Sequence, residues 1–397
     1  MELTKRQAIF LILICLVANK MQRLPSLISS NIGRHGWLAF LVMGILDIVF
    51  LIITLSFNKK ARGKTTYQIC ENVGGNIYAK FIFALMAVYF LANSLLPYEA
   101  VHDLFANILF DQLSWNIYGI ILALSVFFIS SRGLKNLGRL GEIYFYLIGV
   151  SFLILLLLGS ATTNYYHVLP FSDFNTKSFI YTCLEYNLWF GDFIMIYIFV
   201  GKIKYDKKPL GWPCIVAFTV TVLLISFAYI VYYGLYENLS INQNSLISSI
   251  SQFSLLTLDI GRIDWFFVLF FQISTVISSS VYIFLTAYCL KKIFNLKETV
   301  LMCFIIAIII YLLDIFIFKS VQAGASIIAS VSKYFALFMI IIFPIIMYIT
   351  VLISNKKEEK KLKKLNIDEV KLRQYLKLYR TPKARQGGNK WKELPNL

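Results

Sequence analysis

Long apolar segments separated by short polar connections dominate this chain. A helix needs about 20 mostly apolar residues to cross the hydrocarbon core of a bilayer. Ten segments are candidates, and the fourth is the shortest: 8–32, 37–57, 81–110, 117–131, 140–160, 178–200, 212–236, 264–290, 298–318 and 327–354. The pattern predicts an all-α integral membrane protein with ten transmembrane helices.

The first apolar segment is interrupted. Its ten apolar residues, 8–17, are about half of what a membrane crossing needs. Pro25 lacks a backbone donor and disfavours the helical conformation of the residue before it. We therefore predict that the helix stops and restarts at Pro25. Lys20 and Arg23 would then lie at mid-membrane, where a binding cavity tolerates both charges and freed backbone groups.

The sixth segment looks interrupted as well. Glu185, Asn187, Gly191 and Asp192 punctuate an aromatic run around Trp189. Dividing the chain at the polar loop before this segment leaves five crossings on each side. Interrupted helices at matching positions of two halves are typical of a transporter substrate site.

The two interruptions carry opposite charges. The basic pair, Lys20 and Arg23, would face Glu185 and Asp192, and the charges would neutralise each other or match the ends of a zwitterionic ligand. The predicted substrate-binding residues are Ala18, Asn19, Lys20, Arg23, Glu185, Trp189, Gly191 and Asp192.

Two plainer interpretations compete with this site. In one, the first helix is ordinary, and Lys20 and Arg23 extend to one membrane interface. In the other, the charges form a purely structural ion pair, or Glu185 faces the outer water. A cleaved signal peptide fits less well, because no small-residue cleavage site follows Val17 and the rest of the chain is equally apolar.

Further ionisable residues lie within or beside apolar segments. Glu99, His102 and Asp103 share one helix face and could form a proton relay; solvation at the outer interface is the simpler alternative for the last two. We expect Asp47 and Asp314 to satisfy buried helix contacts. Three consecutive serines, 278–280, could bind sodium beside the first helix, or could allow close helix packing.

Composition agrees with a membrane protein and argues against an enzyme. The 397 residues are 58% hydrophobic, with a mean hydropathy of +0.71, which exceeds what a soluble core could bury. The six cysteines show no C-x-x-C spacing and the three histidines no metal-site spacing. We expect no cofactor, no metal centre and no catalytic activity.

Basic residues predict the orientation. With the N-terminus inside, the inner connections carry 17 Lys and Arg and the outer ones 4, which places both termini in the cytoplasm. The tail, 355–397, carries 14 Lys and Arg against five acids. It could form an amphipathic helix on anionic membrane lipids, or a disordered solubilising tail. It has too few aromatic residues for nucleic-acid binding.

Several short motifs resemble one family. They are Leu3-Thr4-Lys5-Arg6-Gln7, Leu24-Pro25, Gly33-x-x-Gly36-Trp37 and Leu258-Asp259-Ile260-Gly261-Arg262-Ile263-Asp264. Together they are similar to the spore germination permeases, the B-type subunits of nutrient germinant receptors, over roughly residues 1–354. This resemblance implies the LeuT-like fold of the amino acid/polyamine/organocation superfamily, here as inverted repeats at about 7–160 and 178–354.

The resemblance also implies a function. The expected protein is a permease-like receptor subunit in the inner membrane of a bacterial endospore. It would bind a small nutrient, which we expect to be an amino acid. Together with an A-type membrane subunit and a C-type lipoprotein, it would then trigger germination. The alternative is a secondary amino acid transporter coupled to protons or sodium.

Overall fold

A computed structural model of the chain is almost entirely helical. It describes residues 3–104, 115–168, 174–203, 210–243, 245–257, 264–296, 298–317 and 330–364. The helices are α1 (Lys5–Lys20), α2 (Leu24–Ile32), α3 (Gly36–Lys60), α4 (Thr66–Leu104), α5 (Trp115–Ser131), α6 (Leu134–Thr162), α7 (Thr176–Glu185), α8 (Ile196–Phe199), α9 (Gly211–Tyr236), α10 (Leu246–Thr257), α11 (Asp264–Ile293), α12 (Val300–Ile317) and α13 (Phe343–Lys364). A π-helical turn, Phe338–Ile342, leads into α13.

Six helical stretches in the described part of the chain are long and apolar enough to cross a membrane. They are Leu24–Lys60, Thr66–His102, Leu134–Thr162, Gly211–Tyr236, Trp265–Ile293 and Ser330–Lys360. Two shorter apolar helices are Asn116–Ser131 and Val300–Phe316. The protein is therefore a multi-pass membrane protein, whereas ten crossings remain a prediction.

The first interruption lies where the sequence predicts it. Helix α1 ends at Lys20, and α2 begins at Leu24 with Pro25 as its second residue. Two buried tyrosines of α9 donate to carbonyl groups on either side of the break: Tyr229 to that of Lys20 (2.8 Å) and Tyr233 to that of Pro25 (2.7 Å). Hydrogen bonds from a neighbouring helix thus hold both sides of the break in place.

The sixth segment is broken more extensively. Helix α7 ends at Glu185, and two short 3-10 turns, Asn187–Trp189 and Asp192–Met195, separate it from α8. Gly191 joins the turns with a φ of 86°, a conformation that favours glycine. Its N–H is donated to the carboxylate of Asp47 on α3 (3.0 Å).

Helix α11 lies at the centre of the bundle. It packs on α1, α4, α5 and α6, and it is the most buried of the six long apolar stretches. Helix α10, which the hydrophobic pattern did not predict, packs on α6 and α11. Its serines, four of them buried, lower the hydropathy of the segment below that of a membrane crossing.

Helix α13 extends past its apolar part as far as Lys364. Its polar end contacts the connection between α3 and α4 and the beginning of α4. Lys64 pairs with Glu358, and Lys357 donates to the carbonyl oxygen of Val73 at 2.7 Å. The tail beyond residue 364, and with it most of the predicted surface helix, lies outside the described residues.

Candidate functional site

A small cavity lies against the break between α1 and α2. Four of the residues predicted to bind substrate, Ala18, Asn19, Arg23 and Trp189, line it. The other lining residues are Gln22, Leu96, Pro97, Glu99 and Ala100. The cavity therefore brings the first interruption, the sixth interruption and the C-terminal part of α4 together.

An ion pair lines this cavity. The guanidinium Nη1 of Arg23 lies 2.8 Å from Oε1 of Glu99, and the two side chains are only 10% and 4% exposed. Glu99 was predicted as part of a relay, and the structure places it in the cavity wall instead. The cavity thus presents one fixed positive and one fixed negative charge.

Arg23 does not face Glu185, contrary to the predicted pairing. Glu185 accepts a hydrogen bond from Nδ2 of Asn31 at 2.9 Å and does not line the cavity. Asn31 follows Arg23 by eight residues on α2, roughly 12 Å at the helical rise per residue. The end of α7 is therefore too far along α2 for Glu185 to reach Arg23.

Lys20 and Asp192 do pair, as predicted. Both side chains are 1% exposed. Asn19 donates to Oδ1 of Asp192 at 3.0 Å, and the hydroxyl of Tyr282 on α11 donates to the same oxygen. The ammonium of Lys20 also lies 5.0 Å from the ring centre of Phe190, within cation–π range. A buried pair with additional hydrogen bonds of this kind offsets its desolvation cost.

The burial of both basic residues rules out the interfacial alternative. Lys20 is fully buried and Arg23 nearly so. Each ammonium or guanidinium group has an acidic partner inside the protein. An extended lysine or arginine at a membrane interface would instead keep its charged end in water.

The rest of the predicted relay is divided between two places. His102 contacts Asp314 on α12 through Nδ1, and both side chains are fully buried. His102 is therefore not solvated at an interface, and Asp314 satisfies a buried helix contact as predicted. The side chain of Asp103 lies outside the described residues.

The three serines of α11 point to different partners. Ser278 donates to Oδ1 of Asn19 at 3.4 Å, Ser279 to the carbonyl oxygen of Ser94 at 3.2 Å, and Ser280 to that of Val276 at 2.8 Å. Only Ser278 reaches the broken first helix, so the three hydroxyls do not converge.

Three further residues at the site, Asp47, Tyr89 and Tyr282, could not be assigned a role from local sequence patterns. Asp47 stood out as a charge in an apolar segment, but not as the acceptor for Gly191. Tyr89, whose hydroxyl donates to the carbonyl oxygen of Phe190 at 2.6 Å, and Tyr282 are two of 24 tyrosines. Only their packing distinguishes them from the others.

Comparison with known families decides the assignment of this chain. Residues 2–323 match the spore permease family, described as spore germination protein. The chain belongs to this family. The resemblance based on short motifs is thereby confirmed, since every quoted motif lies within the matched region.

A curated relative shows low sequence identity to this germination family member. The chain is 20% identical to spore germination protein B2 of Bacillus subtilis (strain 168) over 234 residues, which cover 59% of this chain and 63% of that relative. The match thus spans less than two thirds of the relative's length.

Solved structures support the fold. A crystal structure of the Eremococcus coleocola manganese transporter in complex with an aromatic bis-isothiourea substituted compound matches with a TM-score of 0.60 and 9% identity, over 89% of this chain and 84% of that one. A mutant of the same transporter matches with a TM-score of 0.58 and 10% identity over the same shares. The germination family member therefore has a transporter-like helical fold.

Proposed function

We propose that this protein is the permease-like, ligand-sensing subunit of a spore nutrient germinant receptor. It binds a small nutrient, an amino acid, in the cavity between the interrupted first and sixth segments, and binding triggers germination. Membership of the germination family supports the biological role. The cavity supports the ligand class.

The observation that carries the ligand class is the ion pair between Arg23 and Glu99 in the cavity wall. A zwitterion can exchange partners with such a pair: its carboxylate takes Arg23 and its ammonium takes Glu99. No net charge is then buried, so the ligand avoids the cost of an unpaired charge in low dielectric. A ligand with only one charge would leave one wall residue unpaired.

The remaining lining of the cavity is mostly apolar. Ala18, Leu96, Ala100 and Trp189 offer mostly hydrophobic contact, and Asn19 and Gln22 add a few polar groups. Ligand sites commonly combine an apolar lining with a few such polar groups. The amino acid would therefore be small or apolar rather than charged.

The proposal extends to the membrane arrangement and the partners. Ten crossings in two inverted repeats, about 7–160 and 178–354, would place the interrupted helices at equivalent positions. The excess of basic residues supports cytoplasmic termini and a cytoplasmic tail, 355–397. The protein would reside in the spore inner membrane with an A-type subunit and a C-type lipoprotein.

Direct binding tests this proposal. Purified protein in lipid nanodiscs is screened against labelled L-amino acids, and each hit is compared with its carboxyl amide and its N-acetyl derivative. We expect both derivatives to lose binding, because each lacks one of the two charges.

Variants of the cavity wall sharpen the test. Arg23→Lys should weaken binding, since the bidentate guanidinium is lost, and Glu99→Gln should do the same. Glu185→Gln is the matched control outside the cavity and should bind normally. Binding that tolerates either derivative, or that survives both cavity variants, would contradict the zwitterion site.

A secondary amino acid transporter, coupled to protons or sodium, is the second candidate. The fold shared with a manganese transporter over 89% of the chain favours it. A sensor should bind its nutrient in proteoliposomes without concentrating it. Accumulation that collapses when a proton or sodium gradient is dissipated would establish transport instead.

A further inference from the structure

Asp47 is a fully buried carboxylate with few donors. It lies within the apolar helix α3 and has no exposed surface. The N–H of Gly191 lies 3.0 Å from Oδ1 and 3.3 Å from Oδ2, and it is the only hydrogen-bond donor to Asp47 in the described part of the chain. A carboxylate has about four acceptor sites, so an ionised Asp47 would be poorly solvated.

The charges around Asp47 do not balance. Lys20 of α1 and Asp192 of the sixth segment are both close enough to interact with it electrostatically. The other titratable groups of this cluster are the Tyr89 hydroxyl of α4, the Tyr282 hydroxyl of α11 and the Cys15 thiol of α1. These two hydroxyl groups and the thiol are neutral at physiological pH. Two ionised acids against one ammonium would leave a net negative charge in the membrane interior.

We propose that Lys20, Asp47 and Asp192 form a proton-binding site, with the proton on Asp47. An uncompensated charge in this position is costly, and one bound proton removes it. The triad then consists of an ammonium, a carboxylate and a neutral carboxylic acid.

The hydrogen bonds identify Asp47 as the protonated member. Asp192 has three donors, from Lys20, Asn19 and Tyr282, and donors to a carboxylate favour its charged form. Asp47 has one. The proton therefore belongs on the acid with less support for a charge.

A proton also fits the site better than a metal cation. The ammonium of Lys20 already occupies the cation position beside Asp192. The three side chains are almost completely buried. A hard metal cation needs several oxygen ligands around it, whereas a proton needs no additional volume.

The site has a consequence for ligand binding, which rests on the proposed function. Asp47 holds Gly191, two residues from Trp189 in the cavity wall, and Lys20 follows Asn19. A ligand that shifts either interruption would change the surroundings of the proton. Proton occupancy and ligand occupancy are then linked.

Infrared spectroscopy tests the proton without any ligand. Purified protein in liposomes is measured near neutral pH in the region of the protonated carboxyl C=O stretch, and variant spectra are subtracted from wild type. Asp47→Asn should lose one carboxyl band. Asp192→Asn should lose it too, because Lys20 then has Asp47 as its only carboxylate. Lys20→Met should roughly double it, since both acids become neutral.

A control and the contrary outcomes complete the test. Glu71→Gln alters an exposed carboxylate and should leave the band unchanged. A wild type without a protonated-carboxyl band, or a band that persists unchanged in Asp47→Asn, would overturn the proposal. If Asp47→Asn fails to fold, an unchanged band in Lys20→Met overturns it equally.

Discussion

Breaking the buried pair between Lys20 and Asp192 should destabilise the protein strongly. The two side chains are 1% exposed. Removing one partner of a buried ion pair lowers the free energy of unfolding by about 3–5 kcal/mol. In Lys20→Met, Asp192 keeps its hydrogen bonds from Asn19 and Tyr282. Asp192 can also take up a proton in this variant, which removes the unpaired charge and favours the lower end, about 3 kcal/mol.

The two single variants should differ. Asp192→Asn leaves the ammonium of Lys20 with Asp47, which can release its proton and supply a carboxylate. Lys20→Met offers Asp192 no substitute cation. Lys20→Met should therefore lower the free energy of unfolding more than Asp192→Asn does. The loss in the double variant should be smaller than the sum of the two single losses by about 2 kcal/mol or more.

Reversible unfolding in mixed micelles with increasing SDS fraction measures these free energies. The exposed pair Arg6 and Glu142, with side chains 64% and 21% exposed, is the matched control, for which we expect coupling of about 0–1 kcal/mol. Additive losses in Lys20→Met and Asp192→Asn, or single losses as small as those of the control pair, would refute the reasoning.

Three other predictions follow from the structure. His102→Gln and Asp314→Asn should each lower the unfolding free energy by about 1–3 kcal/mol, because each leaves a buried hydrogen-bonding partner unsatisfied, and a double variant that shows no recovery would argue against their pairing. Gly191→Ala should lower the unfolding free energy by about 1–3 kcal/mol, because the φ of Gly191 is 86°. The control Gly149→Ala should change it little, because no neighbouring atom lies within 4 Å of the added methyl group. Equal losses in the two variants would contradict a strained backbone at Gly191. Cysteines introduced into the loop 161–177 should react with impermeant maleimide from outside the cell, and labelling from the cytoplasmic side alone would reverse the proposed orientation.

The interruptions of the two helices and the pairing of Lys20 with Asp192 could be read from the sequence, while the partner of Arg23 could not. Pro25 and the charges before it conflict with a continuous membrane helix wherever the segment packs. The pairing of Arg23 with Glu99 depends instead on where the break between α1 and α2 lies against α4. By charge alone, Glu185 was as good a partner for Arg23 as any other acid. The structure excludes it because Glu185 contacts Asn31, eight residues from Arg23 along α2.

Packing partners also explain the other omissions. Tyr229 and Tyr233 satisfy the broken first helix from α9, but a tyrosine in an apolar segment carries no mark of its partner. Asp47 was recognisable as a buried acid, yet its role depends on Gly191, which lies 144 residues away. Contacts over such separations arise from the fold and leave no local pattern.

Filling the cavity tests the central claim most directly, because it leaves every charge in place. Ala100 lines the cavity, and Ala161 lies exposed near the end of α6. Equilibrium binding of the labelled amino acid selected in nanodiscs is compared in wild type, Ala100→Leu and Ala161→Leu. We predict at least a roughly tenfold loss of affinity in Ala100→Leu, equivalent to about 1.4 kcal/mol, and wild-type affinity in Ala161→Leu. Unchanged affinity in a correctly folded Ala100→Leu protein would contradict a nutrient site in this cavity.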